Sequence, residues 1–171
     1  IGLSSGGQPI PIIGGARLTG KVDRHNIAVM NIQTQEALGH EGENLFVGRY
    51  SRDILARSKV GGLVVNKEGI GTARYNRTFA ADTTLALHRY FTVTGFLAKT
   101  ETPGMSTGDA AGHVNATWIS PSWRIYGEYT DIQDNFNAEV GFVPRVGIRT
   151  TRLHGEWDPR PGRWHIRQLD P

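Results

Sequence analysis

Between Asn76 and Thr102 the chain reads NRTFAADTTLALHRYFTVTGFLAKTET, and its residue character alternates at a period of two. Successive side chains of a strand point to opposite faces. Phe79, Ala81, Thr83, Leu85 and Leu87 therefore share one face, and Thr78, Ala80, Asp82, Thr84 and Ala86 the other. After His88-Arg89-Tyr90 the alternation resumes, with Phe91, Val93, Gly95 and Leu97 against Thr92, Thr94, Phe96, Ala98 and Thr100. The pattern predicts a hairpin with one apolar face and one small, mostly polar face. Parity limits the loop. A two-residue turn puts Asp82 on the face of Val93 and Leu97, whereas a three-residue loop, His88-Arg89-Tyr90, sets apolar opposite apolar, so the three-residue loop is expected.

The same reading extends along the chain. Strands are expected at 14–22, 26–34, 44–54, 58–67, in the two arms of the central hairpin, and at 110–118, 123–131, 146–157 and 164–169, about ten in all, with no convincing helix. The connections alternate between short ones (23–25, 55–57, 88–90, 119–122, 158–163) and long ones (35–43, 68–75, 101–109, 132–145). Strands of ~9–11 residues joined by short turns at one end and longer loops at the other are the signature of an outer-membrane barrel. The long set is assigned to the cell exterior, the usual polarity of such barrels. The fold class expected is all-β, an antiparallel up-and-down meander forming part of a transmembrane β-barrel, with 1–171 as a single segment. A soluble meander or lipocalin-like barrel is the competing architecture. Hydrophobic residues make up 38% of the chain and mean hydropathy is −0.36. A barrel keeps its apolar residues on alternate positions, so a polar average does not count against it.

The aromatic residues follow the same asymmetry. Trp118 and Trp123 flank the ISPS connection, Trp157 and Trp164 flank DPRPG, and Tyr90 sits in the HRY turn. If the short turns share one side of a membrane, these rings share one depth, as an interfacial girdle requires.

Residues that could carry chemistry are few. A net charge of +3 and a pI near 9.4 are too mild to mark a nucleic-acid surface. The absence of cysteine excludes disulfides, thiolate metal sites and a cysteine nucleophile. The six histidines (His25, His40, His88, His113, His154 and His165) show no paired-ligand spacing, and no metal or cofactor is expected. His40-Glu41-Gly42-Glu43 reads as a solvated polar loop. Gly15 to Val22, GARLTGKV, nearly matches a phosphate-binding loop, but Val22 stands where the magnesium-binding hydroxyl belongs and a turn follows where a helix should start. Asn76-Arg77-Thr78 and Asn115-Ala116-Thr117 match the glycosylation pattern but lie in expected strands. Asp82 is a lone carboxylate on the small-residue face, with no partner evident from sequence. With His113, Asn115, Arg124 and Glu128 it makes up the polar set expected to face a lumen. Pairing Trp118 with Trp123 across a four-residue ISPS loop would bring His113 opposite Glu128.

The runs PIIGGARLTGKV, NLFVGRYSRDILARSKVGGLVVNKEG, YNRTFAADTTLAL, GFLAKTETPG and NAEVGFVPR, in that order, resemble a bacterial family known as domain of unknown function 5916. The resemblance implies an outer-membrane location, with lipid as partner. It also implies an upstream domain like a carbohydrate-binding module, through which carbohydrate would be a second partner, and further strands beyond this segment. Members are sometimes described as glycoside hydrolases, which makes a hydrolase β-domain the alternative to an anchor or passage, with a soluble binding module as a third class. The resemblance supplies no catalytic residue for this sequence. A glycosidase needs two carboxylates ~5–10 Å apart in a cleft, and Asp53, Asp82, Glu128 and Glu139 are scattered among strands and loops. Catalysis by this segment is not expected.

Overall fold

The structure, a computed structural model, describes residues 8–141 and 143–159. Nine strands are hydrogen-bonded in sequence order in one antiparallel sheet, β1 (Ile12–Val22), β2 (His25–Thr34), β3 (Glu43–Leu55), β4 (Ser58–Gly69), β5 (Tyr75–His88), β6 (Phe91–Glu101), β7 (Ala110–Ile119), β8 (Trp123–Ile132) and β9 (Ile148–Trp157). The sheet is open, with β1 and β9 at its edges. The described residues contain no helix. The expected strand 164–169, Trp164 and most of the 158–163 connection lie outside the described residues.

The parity expected of the central hairpin is found in its body, where Ala81 pairs with Leu97, Asp82 with Phe96 and Leu85 with Val93. The loop differs from the one expected. His88 pairs with Phe91 around a two-residue turn, Arg89-Tyr90, and a bulge between Ala86 and His88 takes up one residue. A two-residue turn plus a one-residue bulge shifts the register as a three-residue loop does, which is why the faces come out the same. The tight hairpin turns need positive φ, and neither Arg89 nor Tyr90 has it, so the bulge supplies the twist instead. The buried Ser58 hydroxyl accepts the Ala86 N–H beside the bulge at 2.9 Å.

The β7–β8 hairpin corrects the expected register. Ile119 pairs with Arg124 and Trp118 with Ile125, so Trp118 does not face Trp123. The Ser120 N–H donates to the Trp123 carbonyl at 2.8 Å, and the Trp123 N–H donates to Ser120 Oγ at 3.1 Å. These bonds close the turn around Pro121-Ser122 alone. Proline presets the φ that the second position of such a turn needs, so ISPS spans one tight turn and not a four-residue loop. The pairing moves by two residues, which keeps every side chain on its expected face.

Two faces result. Following direct partners across the sheet, one face carries Leu18, Ile27, Tyr50, Val64, Phe79, Leu97, Val114, Ile125 and Leu153. These side chains are exposed, Leu97 at 72% and Leu153 at 83%. The opposite face carries Lys21, Arg49, Asp82, His113, Glu128 and Arg152, and its burial is concentrated at the end of the long connections. There Leu45, Val65, Asn76, Thr78, Thr100 and Ala111 are buried, together with Phe136 from the connection between β8 and β9. The small core of the described chain therefore lies under a loop, on the more polar of the two faces.

Candidate functional site

The five polar candidates, Asp82, His113, Asn115, Arg124 and Glu128, all fall on the polar face. They do not form one cluster. Asp82 is not the lone carboxylate that the sequence presented. Arg49 Nη1 donates to its Oδ1 at 2.7 Å and Arg49 Nη2 to its Oδ2 at 2.9 Å, a bidentate bridge from β3 to β5. Gly61 on the intervening strand makes this possible. A Cβ there would lie 3.0 Å from Asp82 Oδ1 and 3.2 Å from Arg49 Nη2. His113 pairs with Thr130 instead of Glu128, its Nδ1 lying 2.9 Å from Thr130 Oγ1. The two-residue shift of the β7–β8 register is the cause. Glu128 stands opposite Asn115 and accepts from the Tyr126 hydroxyl and from Arg152. Arg124 pairs with Glu156 at 2.8 Å. The candidate charges Asp82, Arg124 and Glu128 are thus paired across adjacent or next-adjacent strands, which positions and screens charge and presents no acid–base pair.

The most built part of the molecule was not visible in the sequence. After β8, the segment Gln133–Gly141 turns back over the polar face and runs across the strands. The Gln133 N–H donates to the Ala110 carbonyl at the start of β7 (3.0 Å), and the Asn135 N–H to Gly108 just before it (2.8 Å). The Asn137 N–H then reaches Thr100 Oγ1 on β6 at 3.1 Å. On β5, Asn76 is 1% exposed, and its Nδ2 donates to the Asn137 carbonyl at 2.7 Å and to Thr102 Oγ1 at 2.9 Å. Its Oδ1 accepts the Glu139 N–H at 3.4 Å. Finally Lys67 on β4 bridges Glu139 at 3.0 Å and Glu43 of β3 at 2.8 Å. Gly147, at φ 68°, brings the chain back toward β9. A Cβ there would fall 2.2 Å from Asp134 Oδ1, so another residue would strain the left-handed backbone and force the Asp134 side chain aside. Asn76 belongs to one of the two glycosylation patterns, and its amide is fully engaged inside the protein.

Beneath and beside the strap is a cavity of about 340 Å³, lined by Glu41, Glu43, Lys67, Arg74, Tyr75, Asn76 and Glu139 among others. Two of its carboxylates, Glu43 and Glu139, are held by the one ammonium of Lys67. Among the described residues no three ligand-type side chains come together as a metal site. The His40–Glu43 loop sends its two carboxylates to Arg74, at 3.9 Å from Glu41, and to Lys67.

The apolar face is organised along the strand axis. At the short-turn end Trp118 stacks on His88 (5.5 Å between centroids) and lies 5.9 Å from Tyr90, and Trp123 stacks on Trp157 at 5.9 Å. The four described members of the expected girdle thus lie at one end of the sheet in two clusters. At the other end the same face turns polar. Asn31 bonds Asn44, Arg77 bonds Asn66 and Glu68, and Arg149 bonds Asp131. Between these rows the surface is mainly apolar, interrupted by Thr83 on β5 and Thr151 on β9.

Comparison with family models, with curated proteins and with solved structures finds no match for this chain. No helix of the described chain is long and apolar enough to cross a membrane, a criterion that does not address crossing by strands.

Proposed function

We propose that this sheet is part of the wall of a transmembrane β-barrel in a bacterial outer membrane, with the apolar face against lipid and the polar face toward a lumen. The observation that carries the reading is the bounded apolar band. Eight strand gaps of ~4.8 Å and a band six residues deep, ~20 Å, make a flat area on the order of 800 Å². The largest apolar patch of a soluble monomer is typically about 300–600 Å². From β5 to β9 this band ends in tryptophan and tyrosine on one side, with His25 and Arg52 at that edge on β2 and β3, and it ends in hydrogen-bonded polar pairs on the other, the order a bilayer interface selects. The strands, at 10 to 14 residues, are long enough to cross. In lipid an open edge is untenable, so β1 and β9 are closed by further strands in this reading. The barrel serves as anchor or passage. Its link to extracellular carbohydrate rests on the resemblance to the 5916 family.

Charge on the apolar face tests the proposal. Leu97→Arg should block insertion into lipid vesicles, at a cost of about 2–4 kcal/mol near the bilayer midplane. In water the same change at a side chain 72% exposed should be close to neutral. A chain that stays monomeric in water without detergent, and tolerates Leu97→Arg in every assay, would favour the soluble binding module.

A further inference from the structure

The strap is too thoroughly fastened to be a passive connection. In the seven steps from Ile132 to Glu139 it passes from β8 over β7 and β6 to Asn76 on β5, and the Glu139 side chain reaches on to Lys67 of β4. Turns at Gln133–Phe136 and Ala138–Gly141 fold it down onto the polar face as it crosses the strands. A loop that only joined β8 to β9 would have no need of this, since Ile132 and Ile148 are already direct partners. The backbone bonds at its near end fix its start, and Asn76 fixes its middle. That one buried amide donates to the Asn137 carbonyl and accepts the Glu139 N–H, one on each side of Ala138, so it sets how close the strap lies to the sheet. The far end is electrostatic, with Glu139 facing Lys67 and, through it, Glu43.

We infer that Gln133–Gly141 is a constriction built into the barrel, pinned by Asn76, with Glu43, Lys67 and Glu139 as its charged lip. This rests on the barrel reading above, because the polar face must line the lumen for the strap to narrow it. Two consequences separate along the chemistry. Asn76 governs the width of the opening, so it acts on solutes of every charge. Glu139 governs the charge at the lip, so it acts on the choice between small cations and small anions. The solutes concerned are small and hydrophilic, since the lip is formed by Glu43, Lys67 and Glu139 and the cavity behind it adds Glu41, Arg74 and Asn76 beside Tyr75, Pro103 and Met105.

The experiment uses the full chain reconstituted in lipid vesicles, with uptake of an uncharged polyol and the potassium-to-chloride permeability ratio as readouts. Asn76→Ala removes the pin and should raise polyol uptake several-fold. Replacing 135–141 by a short Gly-Ser linker should raise it at least as much. Glu139→Gln should shift the ratio toward chloride by about two-fold or more while raising polyol uptake much less than Asn76→Ala does, because the Asn76 pin remains. Hydrogen exchange at the Asn137 amide, slow in the native chain and fast in Asn76→Ala, reports the strap directly and does not depend on a membrane. Equal polyol uptake in the native chain, Asn76→Ala and the linker variant, all inserted, would overturn the constriction while leaving the barrel standing. Failure of the native chain to insert would instead remove the barrel, and the constriction with it.

Discussion

Replacing Gly61 by alanine places a methyl group in the gap through which Arg49 reaches Asp82. That methyl would lie 3.0 Å from Asp82 Oδ1, 3.2 Å from Arg49 Nη2 and 3.2 Å from Ser51 Cβ. Forcing a methyl into such a space costs about 1–3 kcal/mol, less the ~0.5 kcal/mol gained by removing a strand glycine. The pair's own worth is bounded from both sides. Unit charges ~4 Å apart at an effective dielectric of ~20 attract by about 4 kcal/mol. The two side chains are 39% and 25% exposed, so solvent screening brings the net contribution to about 1 kcal/mol. A thermodynamic cycle separates the two terms. Urea unfolding in detergent, followed by tryptophan fluorescence, would be measured for Arg49→Ala, Asp82→Ala and the double variant, each with and without Gly61→Ala. The double variant should show a coupling of about 1 kcal/mol that shrinks in high salt. Gly61→Ala should cost about 1–2 kcal/mol in the native background. It should cost under about 0.5 kcal/mol when both charged side chains are gone, because two of its three obstacles have left. An equal cost in both backgrounds would refute the claim that Gly61 is small to let the pair cross β4.

Other consequences are more quickly checked. Ser58→Ala should destabilise the chain by about 1–2 kcal/mol, because the Ala86 N–H next to the bulge loses its acceptor, and Ser58→Thr should recover part of that if the hydroxyl is what matters. Trp123→Ala should cost more in lipid vesicles than in detergent, since it removes both the stack on Trp157 and an interfacial anchor. Protease applied to intact cells should cut only within 35–42, 70–74, 102–109 or 133–147, and cuts confined to the two-residue turns would reverse the sidedness.

The faces of the sheet were legible in the sequence because their signal is local. Polarity at a period of two is written in adjacent residues, and it survives an error in the loop. Both corrected hairpins show this, since the bulge at Ala86–His88 and the Pro121-Ser122 turn altered connections without moving a side chain to the other face. Partners were less legible, because they depend on register and not on parity. His113 kept its face and lost Glu128 to a two-residue shift. Asp82 looked unpaired because Arg49 is 33 positions away, on a strand that is not its neighbour. The parity of β3 and β5, with a glycine between them on β4, was the available clue. The strap left no signal of that kind. It has no periodicity, and the side chain that holds it, Asn76, is 61 residues from Asn137 and sat inside a glycosylation pattern.

A cysteine scan along β5 and β6 tests the division into a lipid face and a lumen face most directly, and the chain has no native cysteine to confuse it. Single cysteines at Thr78, Phe79, Ala80, Ala81, Asp82, Thr83, Thr94, Gly95, Phe96 and Leu97 would be introduced into the full chain in vesicles. Each would be treated in parallel with a charged, water-soluble maleimide and a bilayer-soluble one. Reactivity with the soluble reagent should alternate, high at 80, 82, 94 and 96 and low at 79, 81, 95 and 97, with the bilayer-soluble reagent showing the opposite phase. Thr78 should be slow with both, being buried beneath the strap region. Uniform reactivity with the water-soluble reagent on both faces would contradict the account.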